Sequence, residues 1–326
     1  MKIKALALIS GGLDSLLAAK LIHDQGCEVT GLHFHIPFCK VNIQKSFPKI
    51  GIKIIEIDLG QQFLKLIQEP QYGFGSNMNP CIDCKILMFS QAKKLMPELK
   101  ASFIITGEVL GQRPMSQNSQ ALKLIRNKSG LDDLLLRPLS AKFFPPSLAE
   151  KEGWVKREKL LNFNGRIRTP QMQLAKNLGL NDYANPAGGC LLTDPSFSKR
   201  LIELLKHQEL NLENLELLKV GRHFRLGKHT RLVVGRDAGE NEQLMQLACP
   251  GDCLFSPQSD LAGPTVLARG LVNPELILLA AQIASAYTDV LSLKKIGVFY
   301  RQLPALDNNL LEVTVQSKVN FTHLFI

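Results

Sequence analysis

Ser10-Gly11-Gly12-Leu13-Asp14-Ser15 follows an apolar run from Ile3 to Ile9. The run predicts a strand and the two glycines a tight turn. Leu13, Leu16, Leu17, Leu21 and Ile22 then recur at helical spacing, which predicts a helix beginning near Ser15. Glycines allow the backbone to approach a ligand closely and to turn its N–H groups towards it. A helix start adds free N–H donors and the positive end of the helix dipole. With hydroxyls from Ser10 and Ser15, the stretch reads as an anion cradle suited to phosphate. It lacks the Gly-Lys-Ser/Thr ending of a Walker A loop. The alternative reading is an N-capped surface turn.

Further strands are expected at Val29 to Phe34, Ile52 to Leu59, Ser102 to Thr106 and Leu134 to Leu136. Helical stretches at about 15–25, 61–68, 85–96 and 114–126 lie between them. Apolar strands alternating with helices predict an α/β domain with a parallel sheet and helices on both faces. Ligands of such sheets bind beyond the carboxyl ends of the strands. The glycine turn, His33, His35, Asp58 and Thr106-Gly107-Glu108 would all project there. For His33 and His35, a metal pair competes with packing against a nucleotide or simple burial. Asp58 reads equally well as a turn former.

The chain has 326 residues, enough for two domains with separate cores. Its hydrophobic content of 45% is that of an ordinary globular protein. No apolar run approaches the roughly 20 residues needed to span a bilayer. The N-terminus shows no signal-peptide pattern, so a cytoplasmic location is expected. Seven cysteines are then expected to be reduced, metal-bound or catalytic. The formal net charge is +10, and residues 1–207 hold 28 Lys/Arg against 17 Asp/Glu. Such a surplus suggests a polyanionic partner, with solubility the alternative.

Asn79-Pro80-Cys81-Ile82-Asp83-Cys84-Lys85 sets two cysteines three apart at a helix start, where both sulfurs can reach one centre and thiolate is favoured. Alone, the pair is ambiguous between a redox couple, a zinc half-site and an iron–sulfur half-site. Cys190, in Pro186-Ala187-Gly188-Gly189-Cys190, is a third candidate. Cys27, Cys39, Cys249 and Cys253 read as small buried or incidental thiols. Zinc is disfavoured because no fourth ligand is evident. Residues 137–168 carry eight Lys/Arg against three Glu around Trp154, either an RNA-gripping platform or a solvated face.

The Ser10–Ser15 segment resembles the signature of the PP-loop ATP pyrophosphatase superfamily, whose adenine nucleotide alpha hydrolase-like members cleave ATP between the α and β phosphates and adenylate a carbonyl oxygen. Asn-Pro-Cys-x-x-Cys resembles the motif of the PP-loop tRNA thiolation enzymes. Thr106-Gly107-Glu108-Val109-Leu110-Gly111-Gln112 and Leu136-Arg137-Pro138-Leu139 resemble segments of the 4-thiouridine synthases, which usually carry Asp in place of Glu108. The resemblance implies that Ser10, Gly11, Gly12 and Ser15 hold pyrophosphate, Asp14 helps place Mg2+ or phosphate, and His33, Thr106 and Gly107 border the nucleotide. In one branch three cysteines hold a 4Fe–4S cluster with one iron open to sulfide, and Cys81, Cys84 and Cys190 match that arrangement. A persulfide cycle, with one cysteine carrying sulfur and another resolving it, is the competing chemistry. The implied partners are tRNA and a sulfur donor, free sulfide or a persulfide carrier.

A polar leucine-spaced helix is expected over Lys206 to Leu218, so the domains divide as 1–207 and 214–326. Residues 219–236 then carry Lys219, Arg222, Arg225, Lys228, Arg231 and Arg236 and no acidic residue. Val220, Phe224, Leu226 and Leu232 to Val234 predict two strands joined near Gly227 and Lys228, presenting the cations to phosphates and 2′-hydroxyls of RNA. The alternative is an edge strand guarded by its charges. Together with Asp237-Ala238-Gly239-Glu240-Asn241, the segment resembles the RNA-binding domain shared with NFACT proteins, implying a smaller C-terminal α+β domain. A buried helix over Leu276 to Ala286 and closing strands at Leu311 to Val315 and Phe321 to Ile326 complete the expectation. The function implied is an ATP-dependent tRNA sulfurtransferase acting on a uridine. An enzyme inserting sulfur or nitrogen into a small molecule is the alternative.

Overall fold

The computed structural model describes residues 2–39, 50–180, 183, 189–258, 261–270, 273–289 and 294–326. It divides into two compact units, Met1–Thr193 and Asp194–Ile326. The expected division near residue 207 thus lies further along the chain than the observed one. The helix Pro195–Lys206 goes with the second unit, because its Glu203 is ion-paired to Arg225 and Arg231 there.

The first unit holds five parallel strands, β1 (Lys4–Leu8), β2 (Glu28–His35), β3 (Lys53–Asp58), β4 (Phe103–Thr106) and β5 (Leu135–Leu136), in the order β3-β2-β1-β4-β5. Its helices are α1 (Leu13–His23), α2 (Gly60–Gln68), α3 (Cys81–Leu95), α4 (Ser119–Lys128), α5 (Leu148–Lys151) and α6 (Thr169–Asn177). The central strand β1 shows why alternation along a strand serves two cores. Ala5 and Ala7 pack with Leu16, Ile22 and Phe103, while Leu6 packs on the other face with Leu32, Phe89 and Ile104. The fold class is as expected: a parallel α/β sheet with apolar cores on both faces. Helix α3 begins four residues earlier than the expected residue 85, so both cysteines of the Cys-x-x-Cys lie inside its first turn.

Trp154 packs against the Ala5–Phe103 core, with its ring 6.1 Å from that of Phe103. It is therefore a core aromatic rather than part of an RNA platform. Four of the eight cations in this segment are ion-paired: Arg137 with Glu108, Lys151 with Asp133, Arg157 with Glu150 and Arg168 with Asp14.

In the second unit, α7 (Pro195–Lys206) and α8 (Leu212–Leu217) replace the single helix expected over 206–218. Asn211 caps the second of them, its side chain accepting from Asn214 N. Strands β6 (Arg222–Gly227), β7 (Thr230–Val234), β8 (Cys253–Pro257), β9 (Val266–Gly270), β10 (Lys295–Gln302) and β11 (Asn309–Thr314) form an antiparallel sheet in the order β11-β10-β8-β9-β7-β6. Helix α9 (Ala238–Leu247) follows β7, and α10 (Pro274–Ala286) follows β9. Phe224, Leu232, Val234 and Phe255 pack on one face against Ala280, Ile283 and Ala284. Val233, Leu254 and Leu267 pack on the other against Leu217 and Leu244. The expected closing strand at 321–326 is instead a 3-10 segment over Lys318–Leu324, buried through Phe321, with an isolated bridge between Phe325 and Phe224.

Candidate active site at the carboxyl ends of the strands

The glycine turn leaves β1 at the centre of the sheet and closes on itself. Gly11 has φ +73°, the left-handed conformation that glycine adopts without cost, and Gly12 is the N-cap of α1. Ser15 donates its hydroxyl to Gly12 O at 2.8 Å, and its oxygen accepts from Ser10 N at 3.3 Å. The two serines thus brace the turn as well as lining it. His33, at the end of β2, is buried and its Nδ1 lies 3.0 Å from Ile9 O, immediately before the turn. That contact assigns the proton to Nδ1. Burial lowers its pKa, so the ring stays neutral and tethers the loop from behind. His35, by contrast, is exposed, with Nε2 3.2 Å from Glu56 Oε2 and its ring 4.6 Å from that of His33. Asp58 acts as a turn former, accepting from Gly60 N at 2.8 Å.

Asp14, in the first turn of α1, accepts from Gln112 Nε2 at 2.7 Å and from Arg168 at 3.2 Å through one oxygen. The other, Oδ1, is buried and has no hydrogen-bond partner among the described residues. A buried carboxylate oxygen without a donor is a hard ligand in waiting, which suits Mg2+ or a bridging water.

Gly107 is needed for packing. A Cβ there would lie 2.4 Å from the carbonyl carbon of Asp14 and 2.5 Å from Ser15 N, so the loop after β4 rests directly on the start of α1. Thr106, also buried, donates to Glu108 Oε2 at 3.3 Å. Glu108 is a residue whose role the sequence left open. Its carboxylate binds Lys85 Nζ at 2.7 Å and Arg137 Nε at 2.8 Å. Burial would raise its pKa, but the two cations outweigh that and hold it at about 2. Lys85 follows Cys84 on α3, Glu108 follows Gly107, and Arg137 lies in the Leu-Arg-Pro-Leu segment. One buried ion-pair network therefore joins three segments that the sequence shows only as separate motifs.

Cys81 and Cys84 occupy the first turn of α3, and Cys81 Sγ donates to Asn79 Oδ1 at 3.0 Å. Burial raises both thiols, Cys84 more strongly. Pro186, Ala187 and Gly188 of the third cysteine motif lie outside the described residues. Cys190 itself forms an isolated antiparallel bridge with Cys39. The Cys39 thiol donates to the Cys190 sulfur, which, with a backbone hydrogen bond at Leu192 and nearby Arg113, lowers Cys190 to about 7. Cys190 acts electrostatically on Cys39, Cys81 and Cys84. The incidental reading of Cys39 is thereby corrected: it is a fourth thiol in the same neighbourhood. Even so, among the described residues no group of three His, Cys, Asp or Glu converges to the geometry of a metal site. Cys27 and Cys253 are buried in the cores, as expected of small apolar side chains.

In the second unit, Arg225 and Arg231 stand opposite each other across β6 and β7. Two like charges facing across a pair of strands repel. Here Glu203 binds Arg225 at 2.5 Å and Arg231 at 2.6 Å, and Glu209 binds Arg225 at 2.9 Å. Arg231 is 3% exposed. These two arginines are structural, a correction to their assignment as RNA contacts. The signal was available in Glu203 and Glu209, just before the basic run. Lys219 pairs with Glu216. Arg222 lies over the Tyr287 ring at 5.1 Å, with Lys318 at 4.9 Å from the same ring. Lys228 is exposed at the hairpin, and Arg236 is 46% exposed beside Glu240.

Two family models match, one within each unit. Residues 1–142 match thiamine biosynthesis protein (ThiI), and residues 221–324 match the NFACT protein RNA binding domain. A probable tRNA sulfurtransferase of Methanothermobacter thermautotrophicus is 30% identical over 242 residues, 70% of this chain and 54% of that protein. A tRNA-specific 2-thiouridylase MnmA of Marinobacter nauticus is 26% identical over 246 residues, 68% of this chain and 59% of its own. The chain thus spans little more than half the length of these curated relatives. A 4-thiouridine synthetase–RNA complex with bound ATP aligns at 21% identity and TM-score 0.36, covering 66% of this chain and 52% of that one. Among the described residues no helix is long and apolar enough to cross a membrane.

Proposed function

We propose that the chain is an ATP-dependent tRNA sulfurtransferase that adenylates a uridine carbonyl oxygen and replaces that oxygen with sulfur. The observation that carries this reading is the continuity from the phosphate loop to the cysteine helix. Asp14 touches Gly107, and the adjoining Glu108 binds Lys85 beside Cys84. A nucleotide at the glycine turn and a sulfur atom at the cysteines would therefore serve one reaction centre. The uridine oxygen attacks the α-phosphorus, and pyrophosphate leaves into the donors of Ser10, Gly11, Gly12 and Ser15. Sulfur then adds to the activated carbon and AMP departs. N–H donors fixed in the turn stabilise the charge developing on the leaving oxygens. Asp14 supplies a carboxylate oxygen for Mg2+. The matched RNA-binding domain, with Lys228 exposed at its hairpin, supports tRNA as the substrate. The target base leaves its stack to reach the pocket.

The donor set fits a thiolate-bound metal centre in its chemistry: Cys81, Cys84 and Cys190 would hold a 4Fe–4S cluster. Such a cluster, when bound, offers an iron without a protein ligand, open to sulfide. Cys39 is a fourth thiol, which zinc or a fully ligated cluster would use. The Cys39–Cys190 contact also favours a second reading, persulfide chemistry without a cluster, because it supplies a carrier and a resolving thiol.

Release of AMP from ATP, measured with and without bulk tRNA, tests the proposal. Stimulation by tRNA is expected. Equal release in its absence, or stimulation by a small carbonyl compound alone, would point to the small-molecule alternative. Brown anaerobic protein bleached by Cys190→Ala supports the cluster, and colourless active protein supports the persulfide route.

A further inference from the structure

Cys39 follows β2 and Cys190 lies far along the chain, yet the two are paired across an antiparallel bridge. Leu191 N donates to Phe38 O at 2.9 Å, one residue beyond the pair on each side. In antiparallel geometry this makes Cys39 and Cys190 a non-hydrogen-bonded pair, the arrangement with Cα atoms about 4.5 Å apart and side chains closest. That spacing falls within the range that a disulfide spans, about 4.4–6.8 Å between Cα atoms. Cys39 is exposed and Cys190 half-buried, so an oxidant in solution reaches the pair. Cys81 and Cys84, by comparison, are neighbours on a helical turn whose backbone is fixed by α3.

We propose that Cys39 and Cys190 close a reversible cross-strand disulfide, formed by exchange with a low-molecular-weight disulfide such as oxidised glutathione. The Cys190 thiolate attacks one sulfur of that molecule and releases one thiolate. Cys39 gives its proton to solvent, attacks Cys190 Sγ and expels the second. The two protein thiols lose two electrons, and the oxidant is reduced to two thiols. Taken with the cluster reading of the proposed sulfurtransferase, on which this consequence alone rests, the bond withdraws Cys190 from Cys81 and Cys84. It thereby stops sulfur handling until a dithiol reduces it.

Peptide mapping tests this on the full chain. Reduced protein is incubated with oxidised glutathione, its remaining thiols are alkylated, and it is digested without reduction. The expected result is a Cys39–Cys190 cross-link and loss of two of the seven thiols, both reversed by dithiothreitol. Cys39→Ser should arrest Cys190 as a glutathione adduct. A predominant link from Cys190 to Cys81 or Cys84, or an unchanged thiol count, overturns the proposal. Protection of all four thiols until a chelator is added overturns it in favour of a four-thiolate metal centre. Mapping uses neither ATP nor tRNA, so failure of the sulfurtransferase reading leaves its result intact.

Discussion

Removing the Glu108 carboxylate would strand two cations, Lys85 and Arg137, of which Arg137 is 5% exposed. Breaking a buried pair of this kind costs about 3–5 kcal/mol, because the remaining charge stays desolvated. Glu108→Ala should therefore lose stability of that order in urea unfolding at neutral pH. Glu108→Asp, one methylene shorter, should recover only part of it. The pH dependence has a definite sign. A carboxylate whose pKa is lowered on folding, here from 4.5 to about 2, stabilises the fold at pH values above 4.5. That contribution falls away as the pH drops through about 2, so wild type and Glu108→Ala should converge in the acid limb. An unchanged gap down to pH 2 would show that the carboxylate does not bridge the cations. Glu108 was poorly legible in the sequence for a physical reason: its partners come from α3 and from the segment after β5. A motif displays spacing along one strand or helix, and an ion pair between elements has none. Cys39 was missed for the same reason, since its partner is brought to it by the fold alone.

Elements were more legible than the contacts between them. The strand–turn–helix of the phosphate loop and the helix carrying Cys81 and Cys84 are local patterns, and each appears near its expected position. The hairpin of β6 and β7 was also foreseen, but not which face its cations use. Residues 225 and 231 share a face that Glu203 and Glu209 cover, whereas Lys228 sits at the open turn. This division predicts two kinds of behaviour in RNA titrations. Lys228→Ala should reduce the slope of log affinity against log salt by about 1, with the fold unaffected. Arg231→Ala should instead lower the unfolding midpoint of the second unit, because Glu203 loses a buried partner. Equal loss of salt dependence from Arg231→Ala in a fully folded protein would contradict the structural role given to it.

Across the whole molecule, the two units differ in charge as well as architecture. Residues 1–193 carry 25 Lys/Arg and 15 Asp/Glu, while residues 194–326 carry 14 of each. The basic surplus therefore belongs to the unit with the phosphate loop. The match to an RNA-binding domain is the basis for proposing tRNA as substrate, since neither the glycine turn nor the cysteines distinguish a uridine from a small carbonyl compound. The proposed function is that cleavage of ATP at the α-phosphorus, by adenylation of a uridine, puts sulfur into RNA. Its most direct test is nucleoside mass spectrometry of unmodified tRNA incubated anaerobically with the protein, Mg-ATP and a sulfide source. The account predicts an ATP-dependent thiouridine that disappears with Asp14→Ala and with Cys190→Ala. Absence of any thionucleoside while the wild-type protein cleaves ATP to AMP would contradict it.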